Sequence, residues 1–358
     1  MNLNNNSFCL MSSSMKTFKI GIIGSGRIAR VHCLALKFIP NVQTHGVTSH
    51  ISANAEKFAQ ELGIPKVYQS IEEMCADPEI DAIHICNINT AHDEALQKAI
   101  AANKAVICEK PLCVSTAEIE KILQLTAHKM VHTCFIYRFH FAAQALRKHI
   151  QQHGAPKALK INYHQASWLR KQPWQPDQNI YGKSYVLSDI GVHTIDIATF
   201  LLGEDLTFEK AQVFFSGEKY QCSDIAAELH LLSTKKTEVH LSISKNNTQH
   251  DTPLFIQALY GDHTVTIPEL MQETVVLEKN SEKQFLSRTA HTDIIDVLGF
   301  PAGHLEGWLC GFINFFFIFY QQPEGGSSFK GLLPTIEESL KIQRLIDKVF
   351  ENGDWQAL

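Results

Sequence analysis

Apolar and polar positions follow two different rhythms along this chain. Up to about residue 135, short β-rich apolar runs alternate with stretches whose apolar residues recur at helical spacing. The runs fall at 18–23, 42–48, 81–86, 105–108 and 130–135. Helical stretches reach from the first turn to about residue 38, then cover 54–62 and 91–102. Another is announced by Ser115 and Glu118, a pair spaced to satisfy backbone N–H groups at a helix start. Regular strand–helix alternation predicts a parallel, doubly wound sheet covered on both faces.

After about residue 138 the rhythm changes. A helix at 141–152 leads into β-like runs at 157–166, 208–216, 226–232, 237–244, 254–260 and 274–277. In one of them Val239, Leu241 and Ile243 alternate with Glu238, His240 and Ser242. Period two predicts a mostly antiparallel sheet with one buried face. Helices return at 305–320 and 336–350, the second announced by Pro334, Thr335 and Glu338. The expected fold is therefore α/β in two domains, 16–137 and 138–358. Residues 1–15 are rich in Asn and Ser and lack a basic stretch before a long apolar run, so they read as a disordered leader.

Composition narrows the function. The 358 residues are 45% hydrophobic and 19% charged, as in a soluble enzyme with ample core for two domains. A formal net charge of −5 argues against nucleic acid as a partner. The nine cysteines are scattered without a Cys-x-x-Cys pair, and Cys33, Cys86, Cys108 and Cys134 sit in apolar contexts. That pattern fits reduced core thiols in a cytoplasmic protein, and no Cys/His spacing suggests a metal. The apolar run 312–320 is far shorter than the ~20 residues of a membrane span and predicts a buried helix instead.

The turn Gly24-Ser25-Gly26-Arg27-Ile28-Ala29 follows a strand and opens a helix. Gly24 permits the tight turn, Gly26 lets backbone approach a pyrophosphate, and Ala29 keeps helix and strand close. NAD sites commonly carry a carboxylate at the end of the second strand. Here the strand ends Val47-Thr48-Ser49-His50. Ser49, His50 and Arg27 can each donate to a 2′-phosphate, so NADP is favoured over NAD. Asn87, Asn89 and His92 lie in the loop after the fourth strand, at the ligand-facing edge, with helix capping as the alternative for Asn89 or Thr90. Glu109 and Lys110 end the fifth strand at the same edge.

The chemistry is carried by two segments, Glu109-Lys110-Pro111 and Asp189-Ile190-Gly191-Val192-His193-Thr194-Ile195-Asp196. Asp189 and His193 are four apart and share a helix face, with Asp196 nearby. A solvated Lys110, an N-capping Asp189 and a core His193 are the bland alternatives. Amine, carboxylate and imidazole beside a dinucleotide turn point to hydride transfer with an acid/base set.

These motifs, with Asn89-x-x-His92 and Tyr137-Arg138-Phe139, resemble the Gfo/Idh/MocA oxidoreductases over nearly the whole chain from Lys16. The resemblance implies an N-terminal Rossmann domain followed by an α/β domain with a large open sheet, through which relatives associate. It implies that Lys110, Asp189 and His193 surround a reacting carbinol, and that Arg138 and Trp168 lie with Asp189 and His193 on the substrate side. The segments 165–169 and 301–308 resemble members acting on pyranose sugars and cyclitols. Such relatives usually carry Trp-Asn-Trp-Arg and a Gly-Gly segment. Here Pro173-Trp174-Gln175-Pro176 and Tyr181-Gly182-Lys183-Ser184-Tyr185 stand instead, which implies an altered pocket. The expected function is an NAD(P)-dependent dehydrogenase of a sugar, cyclitol or polyol. The alternatives are a non-catalytic NAD(P)-binding regulator and a reductase of a diol or bilin. The second domain's sheet, 157–280, is expected to pair copies into a homodimer or homotetramer through apolar outward positions.

Overall fold

A computed structural model describes residues 17–125, 130–165, 177–219, 221–246, 252–287, 307–321 and 331–358. The expected leader, Trp168, and the segments 173–176 and 301–306 lie outside these residues.

The first unit runs β1 (Phe18–Ile23), α1 (Arg27–Leu36), β2 (Val42–Thr48), α2 (Ser52–Leu62), β3 (Lys66–Val67), α3 (Ile71–Ala76), β4 (Ala82–Ile85), α4 (His92–Ala101), β5 (Ala105–Cys108), α5 (Thr116–Leu125) and β6 (Val131–Thr133). Its six strands pair in the order β3-β2-β1-β4-β5-β6, every pair parallel. Strand order reverses between β1 and β4, and a crevice opens there at the strands' carboxyl ends. Strand β4 is buried at all four positions, as a central strand covered on both faces must be. Ser115 accepts the Glu118 N–H, while the Glu118 carboxylate reaches back to Val114 N rather than to Ser115.

The second unit runs α6 (Phe141–His153), β7 (Ala158–His164), α7 (Gln178–Tyr181), α8 (Val192–Leu202), β8 (Leu206–Phe215), β9 (Asp224–Ser233), β10 (Glu238–Ser244), β11 (Thr252–Leu259), β12 (His263–Ile267), β13 (Thr274–Lys279), β14 (Glu282–Ser287), α9 (Trp308–Gln321), α10 (Ile336–Asn352) and β15 (Asp354–Ala357). Among the described residues nine strands form one open sheet, β14-β13-β12-β11-β7-β10-β9-β8-β15. Only β7–β10 and β8–β15 are parallel. Leu159, Ile161, Leu229, Val239, Leu241 and Ile243 turn inward and share a core with Ile195, Ala198 and Leu201 of α8. The outward face is more polar than expected. His230 and His240 meet at 2.8 Å, and Ser242 accepts from His164 and donates to Glu228. Exposed apolar side chains on β14 are Phe285 and Leu286.

The last two helices fold back onto the first unit. Phe312 and Phe316 of α9 pack on His32 of α1, with ring centroids 5.3 and 5.0 Å apart. Helix α10 starts with the expected capping box of Thr335 and Glu338, and its Asp347 accepts from the N–H and hydroxyl of Thr116 on α5. Among the described residues no helix is long and apolar enough to cross a membrane.

Candidate active site

A cleft of about 1250 Å³ lies at the β1/β4 reversal and is walled by both units. At its cofactor end the chain turns through Gly24 at φ +113°, a conformation that favours glycine. A Cβ there would also sit 2.5 Å from the Cys86 carbonyl oxygen. Gly24 N donates to Thr48 O at 2.8 Å, so the turn is held between β2 and β4. A Cβ built at Gly26 would meet nothing within 4 Å. Helix α1 begins there without a side-chain cap, which leaves its leading N–H groups for a ligand. This open cradle at a helix N-terminus fits a pyrophosphate. Arg27, Ile28, Ser49, His50, Asn87 and Asn89 line the same cleft. Ser25 Oγ donates to Ser49 Oγ at 3.0 Å, and the guanidinium of Arg27 lies 5.9 Å from the Trp308 ring centroid.

Asn87 Oδ1 is buried and has no hydrogen-bond partner among the described residues, as suits a group awaiting a ligand's donor. Neither Asn89 nor Thr90 caps α4; the Thr90 hydroxyl instead bonds to the Asn179 carbonyl. His92 departs from expectation. It is fully buried and is not among the residues lining the cleft. Its Nδ1 lies 2.8 Å from Pro111 O and its Nε2 3.4 Å from Asn87 O. Burial lowers its pKa, so the neutral ring donates through Nδ1 and ties the β4 loop to the β5 loop. It therefore sits behind the cleft wall and holds the two loops together.

At the other end Lys110 Nζ donates to Asp189 Oδ1 at 2.5 Å and to Asp189 O at 2.8 Å. Lys245, at the end of β10, holds the second oxygen of the same carboxylate. Burial favours a neutral Asp189, but the two ammonium charges outweigh it and lower its pKa well below the usual range. Asp189 sits in a π-helical turn, Leu187–Gly191, that runs directly into α8. The buried carboxylate of Asp224 fixes that turn, accepting from Ser184 Oγ and from the N–H groups of Tyr185, Val186 and Leu187. His193 also lines the cleft, its ring 4.5 Å from that of Tyr137. Its Nδ1 is buried with no partner among the described residues. Burial, then the Lys110 charge, lowers its pKa to about 3, which keeps the imidazole neutral.

Arg138 also departs from expectation. It is fully buried, and its Nε and Nη2 donate to Asp196 at 2.5–3.0 Å while Nη1 donates to Glu338 at 3.1 and 3.2 Å. It lies outside the cleft wall and joins the short 3₁₀ turn Ile136–Phe139, after β6, to α8 and α10. Its guanidinium is committed to two carboxylates away from the cleft, as a residue that joins elements would be.

Lys245 and Tyr163 were not foreseen. Lys245 Nζ lies 4.0 Å from the Tyr185 ring centroid and 5.7 Å from that of Tyr181. The altered segment 181–185 thus supplies two aromatic faces for this ammonium. Tyr163 OH pairs with Tyr137 OH at 3.0 Å and accepts from Gln165 at 2.7 Å. Glu109 accepts from His32 at 2.9 Å and, with Cys134, places ligand-type atoms within 4.8 Å of one another. Burial pushes the Cys134 thiol well up, so it stays protonated and makes a poor metal ligand.

Residues 18–137 match the family model described as "Oxidoreductase family, NAD-binding Rossmann fold". The chain is 26% identical to a myo-inositol 2-dehydrogenase of Thermotoga maritima, over 72% of this chain and 78% of that one. It is 29% identical to a glucose-6-phosphate 3-dehydrogenase of Bacillus subtilis, over 67% and 71%. Its fold is that of a levoglucosan dehydrogenase solved in complex with NADH, with TM-score 0.77, 21% identity, and 93% and 96% of the two chains covered. Residues 18–137 therefore carry the NAD-binding Rossmann domain of the Gfo/Idh/MocA oxidoreductases, and the chain is an oxidoreductase similar to dehydrogenases that act on alcohol groups.

Proposed function

We propose that the enzyme moves a hydride between NAD(P) and a hydroxyl-bearing carbon of a sugar, cyclitol or related polyol. One observation carries the reading: Lys110, Asp189 and His193 wall the same cleft as the glycine turn. The nicotinamide, when bound, supplies or accepts the hydride. Neutral His193 takes the hydroxyl proton, and the ammonium of Lys110 stabilises the developing alkoxide. The Asp189 carboxylate gives one acceptor site to each lysine and keeps others for a neighbouring substrate hydroxyl. A molecule with adjacent hydroxyls matches this set, and the names of the inositol and glucose 6-phosphate relatives support it.

NADP is the preferred cofactor on this reading, since Ser49 and His50 stand where an NAD site would carry an acid. The buried free thiols of the described cysteines support a cytoplasmic location. Copies pair through the sheet of residues 157–280, and light scattering at micromolar concentration that found a stable monomer would exclude this. The decisive assay offers myo-inositol, glucose, glucose 6-phosphate and levoglucosan with NAD⁺ and with NADP⁺. At least one should be oxidised. Lys110→Ala and His193→Ala should each lower kcat by about a hundredfold or more while leaving cofactor affinity unchanged. Near-wild-type turnover in either variant would remove its residue from the chemistry.

A further inference from the structure

Behind the cleft runs a file of buried polar groups that the chemistry above does not use. Glu109 Oε1 lies 2.9 Å from His32 Nε2, His32 Nδ1 lies 2.9 Å from His84 Nδ1, and His84 Nε2 lies 2.6 Å from Tyr320 OH. His32 and His84 are fully buried, and Glu109 and Tyr320 nearly so. The rings of Phe312 and Phe316 pack against His32, and Phe316 also against His84 at 4.8 Å, forming a dry sheath.

The distances allow one consistent set of protons when Glu109 is ionised. Its carboxylate can only accept, so His32 donates from Nε2 and must accept at Nδ1. His84 then donates from Nδ1 and accepts at Nε2, where the Tyr320 hydroxyl donates. Each link is satisfied, and every donor faces the cleft. Burial lowers the His84 pKa and raises that of Tyr320, so both stay neutral and the charge of the file sits on the Glu109 carboxylate at its cleft end. Glu109 lines the cleft and lies in the field of Lys110. At the far end, Tyr320 packs against partly exposed Phe18 at 5.7 Å.

We propose that Tyr320, His84, His32 and Glu109 form a proton relay between the active site and the far side of the first domain. The inference rests on the polyol reading for its role in turnover. In the reduction direction each hydrogen shifts one link towards the cleft: Tyr320 to His84, His84 to His32, His32 to Glu109, while solvent reprotonates the phenol oxygen. Glu109 then carries one added proton, which passes within the cleft to His193 once that ring has given its own to the substrate alkoxide. Both imidazoles now hold the opposite tautomer, so the reverse sequence exports the proton that alcohol oxidation releases. Charge and proton count balance in both directions. Tyr320, His84 and His32 act through Glu109 and are positioning residues.

The test uses the full-length protein with Tyr320→Phe, which removes one oxygen, and His84→Ala. On whichever of the four assayed substrates turns over, kcat should fall about tenfold with unchanged KM and cofactor affinity. The solvent deuterium isotope effect should rise, and added imidazole should restore turnover to His84→Ala. Wild-type kcat and isotope effect in both variants would overturn the relay. Nitrogen-15 spectra of the histidine rings read the file without substrate. Tyr320→Phe should shift the nitrogens of His32, which it does not touch, through His84. An unmoved His32 overturns the inference even if no substrate turns over, whereas an inactive wild type with a shifted His32 counts only against the polyol reading.

Discussion

Replacing Arg138 with methionine should weaken the fold severely and leave cofactor binding and the substrate's KM near normal. Methionine keeps much of the length and removes the charge. Asp196, 1% exposed, would then be a buried carboxylate without its cation. Breaking such a pair from one side costs about 3–5 kcal/mol. Glu338 is 40% exposed on its side chain, so losing that contact adds about 1 kcal/mol at most. At roughly 2–4 °C per kcal/mol for a domain of this size, the melting temperature should drop by roughly 6–24 °C.

The size of the pH response identifies the cause, because the Asp196 pKa is raised to about 7 even with Arg138 in place and rises further without it. Burial pushes the Asp196 pKa up and Arg138 opposes that rise. Without Arg138 the folded state holds a proton on Asp196 that the unfolded state, titrating near pH 3.9, has lost. The folded form then binds more protons, so the variant should gain stability as pH falls from 8 towards 5 and lose it as pH rises. Arg138→Met combined with Asp196→Leu should recover much of the loss. Circular dichroism melts at several pH values read these outcomes. An unchanged melting temperature with a KM raised tenfold would refute the structural role and return Arg138 to the substrate.

Lys245→Met should lower kcat by about 10–100-fold with cofactor affinity unchanged, because it removes one of two cations on Asp189 and leaves Lys110 committed to that carboxylate; steady-state kinetics within twofold of wild type would dismiss Lys245 from the site. Fluorescence titration should find NADPH bound more tightly than NADH, and Ser49→Asp should invert the order through repulsion of the 2′-phosphate. A wild type that binds NADH at least tenfold tighter would end the preference for NADP.

Much of the fold was legible because both rhythms are strong. The long, strictly periodic elements appear where period and caps place them. The short ones, β3 and α3, carry two and six residues, too few to show a period. Lys245 had a signal that was there to be used. Val239, Leu241 and Ile243 turn inward, and continuing the period of two puts Lys245 on the same side. A charged residue at an inward position one step past a strand marks a site or a buried pair. Tyr163 follows Leu159 and Ile161 by the same parity. Arg138 was misplaced because a motif records which residues travel together and not which way they face. Its partners, Asp196 and Glu338, are 58 and 200 residues away, beyond any local pattern. His32 and His84 likewise gain meaning only when β4 and α1 are laid side by side.

The charges at the seam show why two lysines stand at one aspartate. Lys110 comes from the first domain, and Asp189 and Lys245 from the second. Two ammonium groups on one carboxylate leave the trio with a single positive charge, and neutral His193 adds none. Holding that excess in a partly buried site is costly, and Asp189 bears most of the compensation. Glu109 lies close enough to feel Lys110, but its oxygens are engaged by His32 and by the Lys110 N–H. Its charge offsets part of the excess, and the positive field that remains beside Lys110 and Lys245 faces the cleft. An alcohol entering there is neutral, whereas the alkoxide formed as its proton leaves balances the charge. The site thus favours the charge distribution that exists only during the reaction, which is how a fixed arrangement of ordinary side chains lowers a barrier.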